Sequence, residues 1–312
     1  MESFLMAVQV VVPMAIMVGI GVLLRIFKVS DAATMKKVDN LIFKLTMPMV
    51  SFYNLYKTDF SKLNNLGYIL YGVAGIMLLF FAALWIVPKY VHPRPTASAF
   101  GQTLYRSNYL IFGNAVAEGI YGAGNYGLIT LLGAVAVPLF NVQASIQLEA
   151  GRNSTASGKK LAIAILKNPT VIATIAGLAV NFSGIRIPSL LLGVVEDIAG
   201  LTTPLSFLSI GVSLSLMAVS GKKSYLFSGI GLRLVLIPLV FVVPGILLGF
   251  RGQEICALMI LFAAPVAVSS YPMAVAMDAD GDFAAQMGAW TTVLCLPTIF
   301  LWTLLLNSLH LL

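Results

Sequence analysis

Charged residues are scarce in this 312-residue chain, at 10% of the total, whereas hydrophobic residues make up 59%. This balance excludes a soluble globular domain and is typical of a polytopic membrane protein. There are two cysteines, Cys256 and Cys295, and because both lie in apolar segments we do not expect a disulfide. The sequence also lacks a linker or low-complexity tract long enough to separate an additional soluble domain.

Motifs that would indicate an enzyme are missing as well. HExxH, GxSxG and an ATP-binding motif do not occur, and His92 and His310 are too far apart to suggest a metal site. "GAGNYG" (122–127) has the spacing of a dinucleotide fingerprint but follows no soluble strand, which favours a loop. "NST" (153–155) lies in a predicted cytoplasmic loop and does not indicate glycosylation. We therefore expect no enzyme, no cofactor and no metal.

Ten apolar segments are long enough to cross a bilayer. They cover residues 4–27, 36–56, 66–89, 97–120, 126–149, 161–182, 188–217, 225–248, 253–277 and 284–309. The first segment lacks a basic leader and is too long for a signal peptide, so we expect a retained span. The sequence predicts an all-α polytopic membrane protein with ten transmembrane helices.

The net charge of +7 could suggest nucleic acid, but the basic residues cluster in alternate loops between the apolar segments. These residues are Arg25, Lys28, Lys36, Lys37, Lys89, Arg94, Arg152, Lys159, Lys160, Lys167, Lys222 and Lys223. The positive-inside rule places these loops in the cytoplasm. We therefore predict a multi-pass protein of the cell (plasma) membrane with lipid around it, both termini extracytoplasmic and no nucleic-acid partner.

An internal repeat divides the chain. "KLTMPMVSF" (44–52) and "GLTTPLSFL" (200–208) share a Leu-Thr-x-Pro core whose prolines, Pro48 and Pro204, lie half the chain length apart. An odd number of spans in each half inverts the second half, as in many secondary transporters. The repeat predicts a first five-helix unit, residues 1–150, and an inverted second unit, residues 151–312.

Two of the spans carry unusual polar residues or prolines. "RSNYLIFGNA" (106–115) lies in the fourth, and the ninth is predicted to be interrupted near Pro272 because proline removes a backbone donor. Interrupted helices in two inverted halves indicate a binding site at the midplane. We expect Asn108 and Asn114 to face this crossing; the alternative is that they only hydrogen-bond between helices.

At these residues the chain resembles the auxin efflux carrier family, which includes the PIN-FORMED carriers and bacterial organic-anion transporters. The resemblance is carried by an ordered set of segments that runs essentially from end to end. These are "LTMPMVSF" (45–52), "RSNYLIFGNA" (106–115), "VPLFN" (137–141), "KNPTVIATIAGL" (167–178), "LTTPLSFLSIGVSL" (201–214), "APVAVSSYPMAVAMDADGD" (264–282) and "LPTIF" (296–300).

The resemblance implies crossed fourth and ninth helices, a scaffold domain of helices 1, 2, 6 and 7, and a transport domain of helices 3–5 and 8–10. It gives Asn108 the role of the family's carboxylate-binding asparagine, Asn141 a polar position facing the site, and Pro272 the ninth-helix break. The family's fourth-helix Gly-x-Pro reads Gly113-Asn114-Ala115 here, which predicts a less sharp break that Asn114 could open. The predicted substrate-binding residues are Asn108, Tyr109, Gly113, Asn114, Asn141, Ser269, Ser270, Tyr271 and Pro272.

Several ionisable residues lie in or near the spans. Arg106 either neutralises an anionic substrate or extends to the cytoplasmic surface, and its position near the helix entrance favours the surface. Glu118 either carries a proton or lies in water. Arg233 pairs with a buried acid or anchors an interface. Asp278, Asp280 and Asp282 are expected in a solvated loop.

The leading functional prediction is a secondary or potential-driven carrier of small organic anions, such as carboxylates, with alternating access of the elevator type. Alternatives are a sodium-coupled symporter of the bile acid–sodium symporter type and a metabolite-binding membrane receptor. A homodimer is also predicted, because Gly19, Gly21 and Gly211 would allow close helix contact between subunits. The same glycines could instead pack two helices within one subunit.

Overall fold

The computed structural model describes residues 2–57, 66–122, 126–152, 163, 166–213 and 222–312, and within these ranges the chain is helical without a β-strand. The first half contains α1 (Glu2–Ile26), α2 (Ala32–Leu41), α3 (Met47–Lys57), α4 (Leu66–Trp85), α5 (Val87–Tyr90), α6 (Arg94–Tyr105), α7 (Tyr109–Tyr121) and α8 (Gly127–Arg152). The second half contains α9 (Pro169–Ser183), α10 (Ser189–Gly200), α11 (Thr202–Ser213), α12 (Lys223–Gly231), α13 (Ile237–Leu247), α14 (Gln253–Ala263), α15 (Ser270–Ala276) and α16 (Gly281–Ser308).

Helices in the described part of the chain are long and apolar enough for a bilayer. Five stretches have the length and composition of a membrane span: Leu66–Tyr90, Gly127–Arg152, Ser189–Val212, Lys223–Leu247 and Gly281–Ser308. Large aliphatic side chains point outward from them; Leu190 and Leu247, for example, are 80% and 81% exposed. Such a surface is suited to lipid and not to water. The prediction of an all-α membrane protein is therefore confirmed.

The centre of the protein is the short helix α14. Its residues from Ile255 to Ala263 are all buried, and it packs against α4, α7, α8 and α13. A helix that is apolar on every side belongs inside a protein, because no face of it is suited to solvent. The carboxyl end of α14 therefore places the segment that follows it deep in the fold.

Two helices contain a π-helical segment. Ile42–Thr46 connects α2 to α3, and Leu232–Leu236 connects α12 to α13, in each case without interrupting the helix. A π-helical turn contains more residues than an α-helical one, and such turns are frequent at functional sites. Arg233 lies in the second segment.

Glycines allow α1 and α11 to approach closely. A Cβ atom on Gly21 would lie 2.8 Å from the Cα atom of Gly211, and the reverse distance is also 2.8 Å. These two glycines therefore pack helices within one subunit, which was the alternative to a role between subunits. Among the described residues, nothing lies within 4 Å of a Cβ atom built on Gly19. The homodimer stays a prediction, with less support from its glycines.

Candidate functional site

Two helical spans are interrupted, in the same regions that the sequence predicted. The first interruption comprises residues 106–108, between α6 and α7, and the second comprises residues 264–269, between α14 and α15. The two segments lie side by side, and Ser107 and Val266 form an isolated antiparallel bridge. We call these two segments the crossing.

Backbone hydrogen bonds join the two segments of the crossing. The N–H of Asn108 donates to the carbonyl of Pro265 at 2.9 Å, and the N–H of Ala267 donates to the carbonyl of Arg106 at 3.2 Å. A broken helix leaves backbone groups unpaired, and an unpaired group at membrane depth is very unfavourable. Each segment therefore supplies partners that the other one lacks.

Pro272 and Asn114, the two residues expected to break the helices, lie near the interruptions and not in them. The second interruption contains Pro265, whereas Pro272 lies in the first turn of α15, where a missing N–H removes no helical bond. In the first half, α7 continues through Gly113 and Asn114, so the expectation that Asn114 opens the backbone is wrong. Residues 106–108 contain no proline, and they leave the helix because they pair with the other segment.

Arg233 holds the ends of both broken helices together. Its guanidinium donates to the carbonyls of Leu104 at 3.2 Å, Leu261 at 3.1 Å and Ala264 at 2.8 Å. These carbonyls belong to the last turn of α6 and to the carboxyl end of α14, where helices leave acceptors unpaired and carry partial negative charge. Neither predicted partner, a buried acid or an interface, is correct. Arg233 instead caps two helices at once.

Arg106 lies inside the crossing and not at the surface. Its side chain is 1% exposed and donates to the side chains of Gln102 at 2.8 Å, Asn141 at 3.0 Å, Ser269 at 3.1 Å and Met273 at 3.3 Å. The expectation that it extends to the cytoplasmic surface is therefore wrong. All four acceptors are neutral, and no ion pair of the described residues includes Arg106. The positive charge has no counter-charge there.

Asn141 connects the crossing to α3. Its Oδ1 accepts the hydrogen bond from Arg106, and its Nδ2 donates to the hydroxyl of Ser51 at 2.8 Å. Both groups of the amide are thus fixed, in a side chain that is 5% exposed. The structure places Asn141 at the crossing, as the resemblance implied, and adds Ser51, which the sequence analysis missed.

A cavity of about 110 Å³ opens beside Arg106. It is lined by Val50, Arg106, Ser107, Asn108, Tyr109, Val137, Phe140, Asn141, Thr202, Thr203, Ala267, Val268 and Ser269. Within the described part of the chain, the Nδ2 of Asn108 and the hydroxyl of Ser107 have no hydrogen-bond partner, although both side chains are buried. Buried polar groups are nearly always paired. These two donors are available to a ligand.

The other predicted site residues lie at varying distances from this cavity. Tyr109 lines it, and its hydroxyl donates to a backbone carbonyl of α8 at 2.8 Å. Gly113 packs against a side chain of α14, and the side chain of Asn114 lies outside the described residues, as does that of Glu118. Ser270 is buried next to the crossing without lining the cavity. None of these placements tests substrate binding.

Asp39, on α2, is a buried acid that the sequence analysis did not consider. It is 0% exposed, and the hydroxyls of Ser209 and Tyr271 lie beside its carboxylate. Its neighbours Lys36 and Lys37 are exposed, so this part of the sequence has the pattern of a solvated helix end. The signal that could have indicated a buried Asp39 is the run of apolar residues that follows it.

Asp280 connects three elements at the end of α15. It accepts hydrogen bonds from Thr96 and Lys222. Burial raises the pKa of Asp280, but the hydrogen bonds from Lys222, Thr96 and the N–H of Phe283 outweigh it, so the pKa lies below its ordinary value. The expectation of a solvated loop is therefore wrong for Asp280. It is correct for Asp278, whose side chain is 66% exposed.

Other predictions concern groups that are absent or not described. In the part of the chain that the structure describes, no group of His, Cys, Asp and Glu could hold a metal ion. Cys256 and Cys295 are both free and buried, so the prediction of no disulfide is confirmed. Residues 123–125 of "GAGNYG" and all of "NST" lie outside the described residues.

A helical membrane protein in which two broken helices meet beside a cavity has features typical of a secondary transporter. Residues 140–303, just over half of the chain, match the model of a family described as membrane transport protein. The chain therefore belongs to this family, that of the auxin efflux carriers, as its segments suggested. It is also similar to a protein of Methanothermobacter thermautotrophicus named as an uncharacterized transporter, with 23% identity over 97% of this chain and 99% of that protein.

Proposed function

We propose that this protein is a carrier of small organic anions, and that Arg106 and Asn108 bind the carboxylate of the substrate. The protein belongs to a membrane transport family and is not expected to be an enzyme. Family membership supports transport in general, whereas the chemistry of the substrate is inferred from the cavity at the crossing.

One observation carries this proposal: the positive charge of Arg106 is buried among neutral partners. Burying an ion costs several kcal/mol unless an opposite charge lies next to it. A bound carboxylate would supply that charge, and an arginine binds a carboxylate through two parallel hydrogen bonds. The unpaired amide of Asn108 and hydroxyl of Ser107 would donate to the same anion.

The size of the cavity favours a small substrate. Its volume of about 110 Å³ is below the roughly 300–1,000 Å³ of pockets that hold drug-sized ligands. The lining is mixed, and it includes the apolar side chains of Val50, Val137 and Phe140 as well as the polar groups. A carboxylate with a short apolar body matches such a lining.

The proposed transport cycle follows the arrangement that the resemblance implied. Ten spans form two inverted repeats, and a transport domain moves past a scaffold domain to give alternating access. The scaffold would be held by a second copy of the chain, in a plasma membrane with both termini outside the cytoplasm. The hydrogen bonds between the two segments of the crossing support this proposal, because they would let both segments move as one unit.

Arg233 disfavours the alternative of sodium coupling at the crossing. In many transporters the coupling cation binds at the carboxyl ends of half-helices, where carbonyl oxygens are unpaired. Here the guanidinium of Arg233 takes three of those carbonyls. A sodium ion would have to bind next to this fixed positive charge, which is electrostatically unfavourable.

A binding screen tests the proposal. Purified protein in mild detergent is titrated with acetate, lactate, pyruvate, malonate and succinate, and binding is measured by thermal stabilisation and by calorimetry. The uncharged amides of the same acids serve as ligand controls. We expect at least one carboxylate to stabilise the protein and none of the amides to do so. Equal stabilisation by acids and amides would contradict the role of Arg106.

Three variants make the test specific to the site. Asn108→Ala should weaken binding by about 1–3 kcal/mol, or about 5- to 150-fold, because a buried donor to the anion is lost. Arg106→Gln should abolish binding. The matched control is Arg251→Gln, since Arg251 is likewise a hydrogen-bonded arginine but is exposed and does not line the cavity. Unchanged affinity in both site variants would overturn the proposal.

A further inference from the structure

Asp39 is a fully buried acid that has no role in the proposed binding of the anion. It lies on α2, which packs against α11 and α15. The hydroxyls of Ser209, on α11, and Tyr271, on α15, lie beside the carboxylate, but neither carboxylate oxygen makes a hydrogen bond of standard geometry to the described residues. Ion pairs of the described residues do not include Asp39 either.

The titratable groups around Asp39 are few. From α15 the one that faces it is Tyr271, and α11 contains no ionisable residue. On the same helix, Lys36 and Lys37 are exposed, and so is Lys44 of the adjoining π-helical segment. No described basic side chain therefore compensates a negative charge on Asp39. An ionised carboxylate without a partner is strongly disfavoured inside a protein. Burial without a basic partner therefore favours the protonated form of Asp39.

Both helices that contact Asp39 are connected to the anion cavity, because α11 lines it and α15 directly follows Ser269, which lines it. Ser269, at the start of α15, accepts a hydrogen bond from Arg106, and Tyr271 follows it by two residues. On α11, Thr202 lines the cavity and Ser209 lies beside Asp39. A movement of α15 or α11 therefore changes the surroundings of the anion and of Asp39 together.

We propose that Asp39 binds and releases the coupling proton, so that this protein carries an organic anion together with a proton. The inference rests on the proposed function. A proton from the solution binds the carboxylate when the anion binds, and both leave on the opposite side when movement of α15 and α11 exposes them. Anion binding and protonation of Asp39 are coupled through α15 and α11, because the segments that contact the carboxylate are continuous with those that line the cavity.

The pH dependence of anion binding is the first test. Affinity for the tightest-binding acid of the panel is measured over a pH range in which that acid stays ionised. For wild type we expect affinity to rise as pH falls, by up to about tenfold per pH unit, the limit for one linked proton. Asp39→Asn should bind with the same affinity at every pH, since its amide imitates the neutral acid. Asp39→Glu should keep the pH dependence.

A matched control separates Asp39 from acids in general. Asp282 is an exposed acid in the first turn of α16, and Asp282→Asn should behave as wild type. In proteoliposomes with the pH lower outside, wild type and Asp282→Asn should accumulate the radiolabelled acid. Asp39→Asn should exchange the acid across the membrane but not accumulate it, because exchange needs no net proton movement.

The two proposals fail in different ways. If no acid of the panel binds to wild type at any pH, the proposed function is overturned, and the proton site with it. If an acid binds through Arg106 but Asp39→Asn retains the pH dependence and the accumulation of wild type, the anion carrier stands and the proton site is overturned.

Discussion

Replacing Arg233 by methionine should weaken the fold without removing a ligand group. The side chain is 0% exposed and donates to three backbone carbonyls at the ends of α6 and α14. Methionine fills much of the same space but donates no hydrogen bond, so three buried acceptors lose their partner. Each stranded acceptor costs about 1–3 kcal/mol, and relief from burying the charge offsets part of that sum. We expect a net loss of about 3 kcal/mol.

The two cysteines provide a suitable assay. Cys256 and Cys295 are both free and fully buried, so a thiol-reactive dye reports unfolding. At a few degrees per kcal/mol, the expected loss lowers the melting temperature of Arg233→Met by roughly 5–10 °C. Arg233→Lys should lie between methionine and wild type, since lysine keeps the charge without the planar fork of donors.

Arg251→Met is the control for Arg233→Met. Arg251 donates to the carbonyls of Ile246 and Phe250 but is exposed, so water replaces its bonds and the change should be within about 0.5 kcal/mol. If Arg233→Met melts at the temperature of wild type, the three carbonyls do not need the guanidinium. The reasoning about the ends of the broken helices would then be refuted.

Two further predictions follow from the crossing and from Asp280. Pro265→Ala should reduce transport more than Pro272→Ala, because Pro265 lies in the interruption and Pro272 lies in an ordinary first helical turn. Counterflow in proteoliposomes measures the transport rate of both variants, and equal losses would contradict this order. Lys222→Met should lower the free energy of unfolding by about 1–3 kcal/mol at neutral pH. The pKa of Asp280 is depressed in the fold, so the ionised carboxylate stabilises the protein above the ordinary pKa of 3.8, and this stabilisation is lost as pH falls below that value. The difference in unfolding free energy between Lys222→Met and wild type should therefore shrink at low pH. A difference that stays constant with pH would contradict the pairing of Lys222 with Asp280.

The sequence indicated which spans are broken, but it was less informative about the residues at which each span breaks. Polar residues and prolines in apolar segments indicated the fourth and ninth spans, because such residues are unfavourable in an uninterrupted membrane helix. The positions differ because the break at residues 106–108 depends on backbone pairing with residues distant in the chain. Nothing local in "YRSN" distinguishes this pairing from an ordinary helical turn.

Arg106 and Asp39 show why the site was harder to predict. Arg106 lies near a helix entrance, a position that favours the surface, but its side-chain partners lie on α6, α8 and α15 and in the crossing. Asp39 follows two exposed lysines. In both cases the residue type and the local sequence indicated a side chain exposed to solvent. The side chain is buried because helices that are distant in the sequence pack around it. Asn141 could be placed because the family resemblance extends to its segment.

The π-helical segment Ile42–Thr46 determines which residues of this helix face the interior together. Asp39 and Ser51 are separated by twelve residues, so at roughly 100° per residue they would point about 120° apart on a regular α-helix. A π-helical turn takes up one extra residue, which reduces the angle to about 20°. Both side chains are indeed 0% exposed. The rotational register of the helix is therefore set by a single residue. Deleting Lys44 or Leu45, whose side chains are exposed, would turn Ser51 away from Asn141 while Asp39 kept its place, although no buried side chain had been removed.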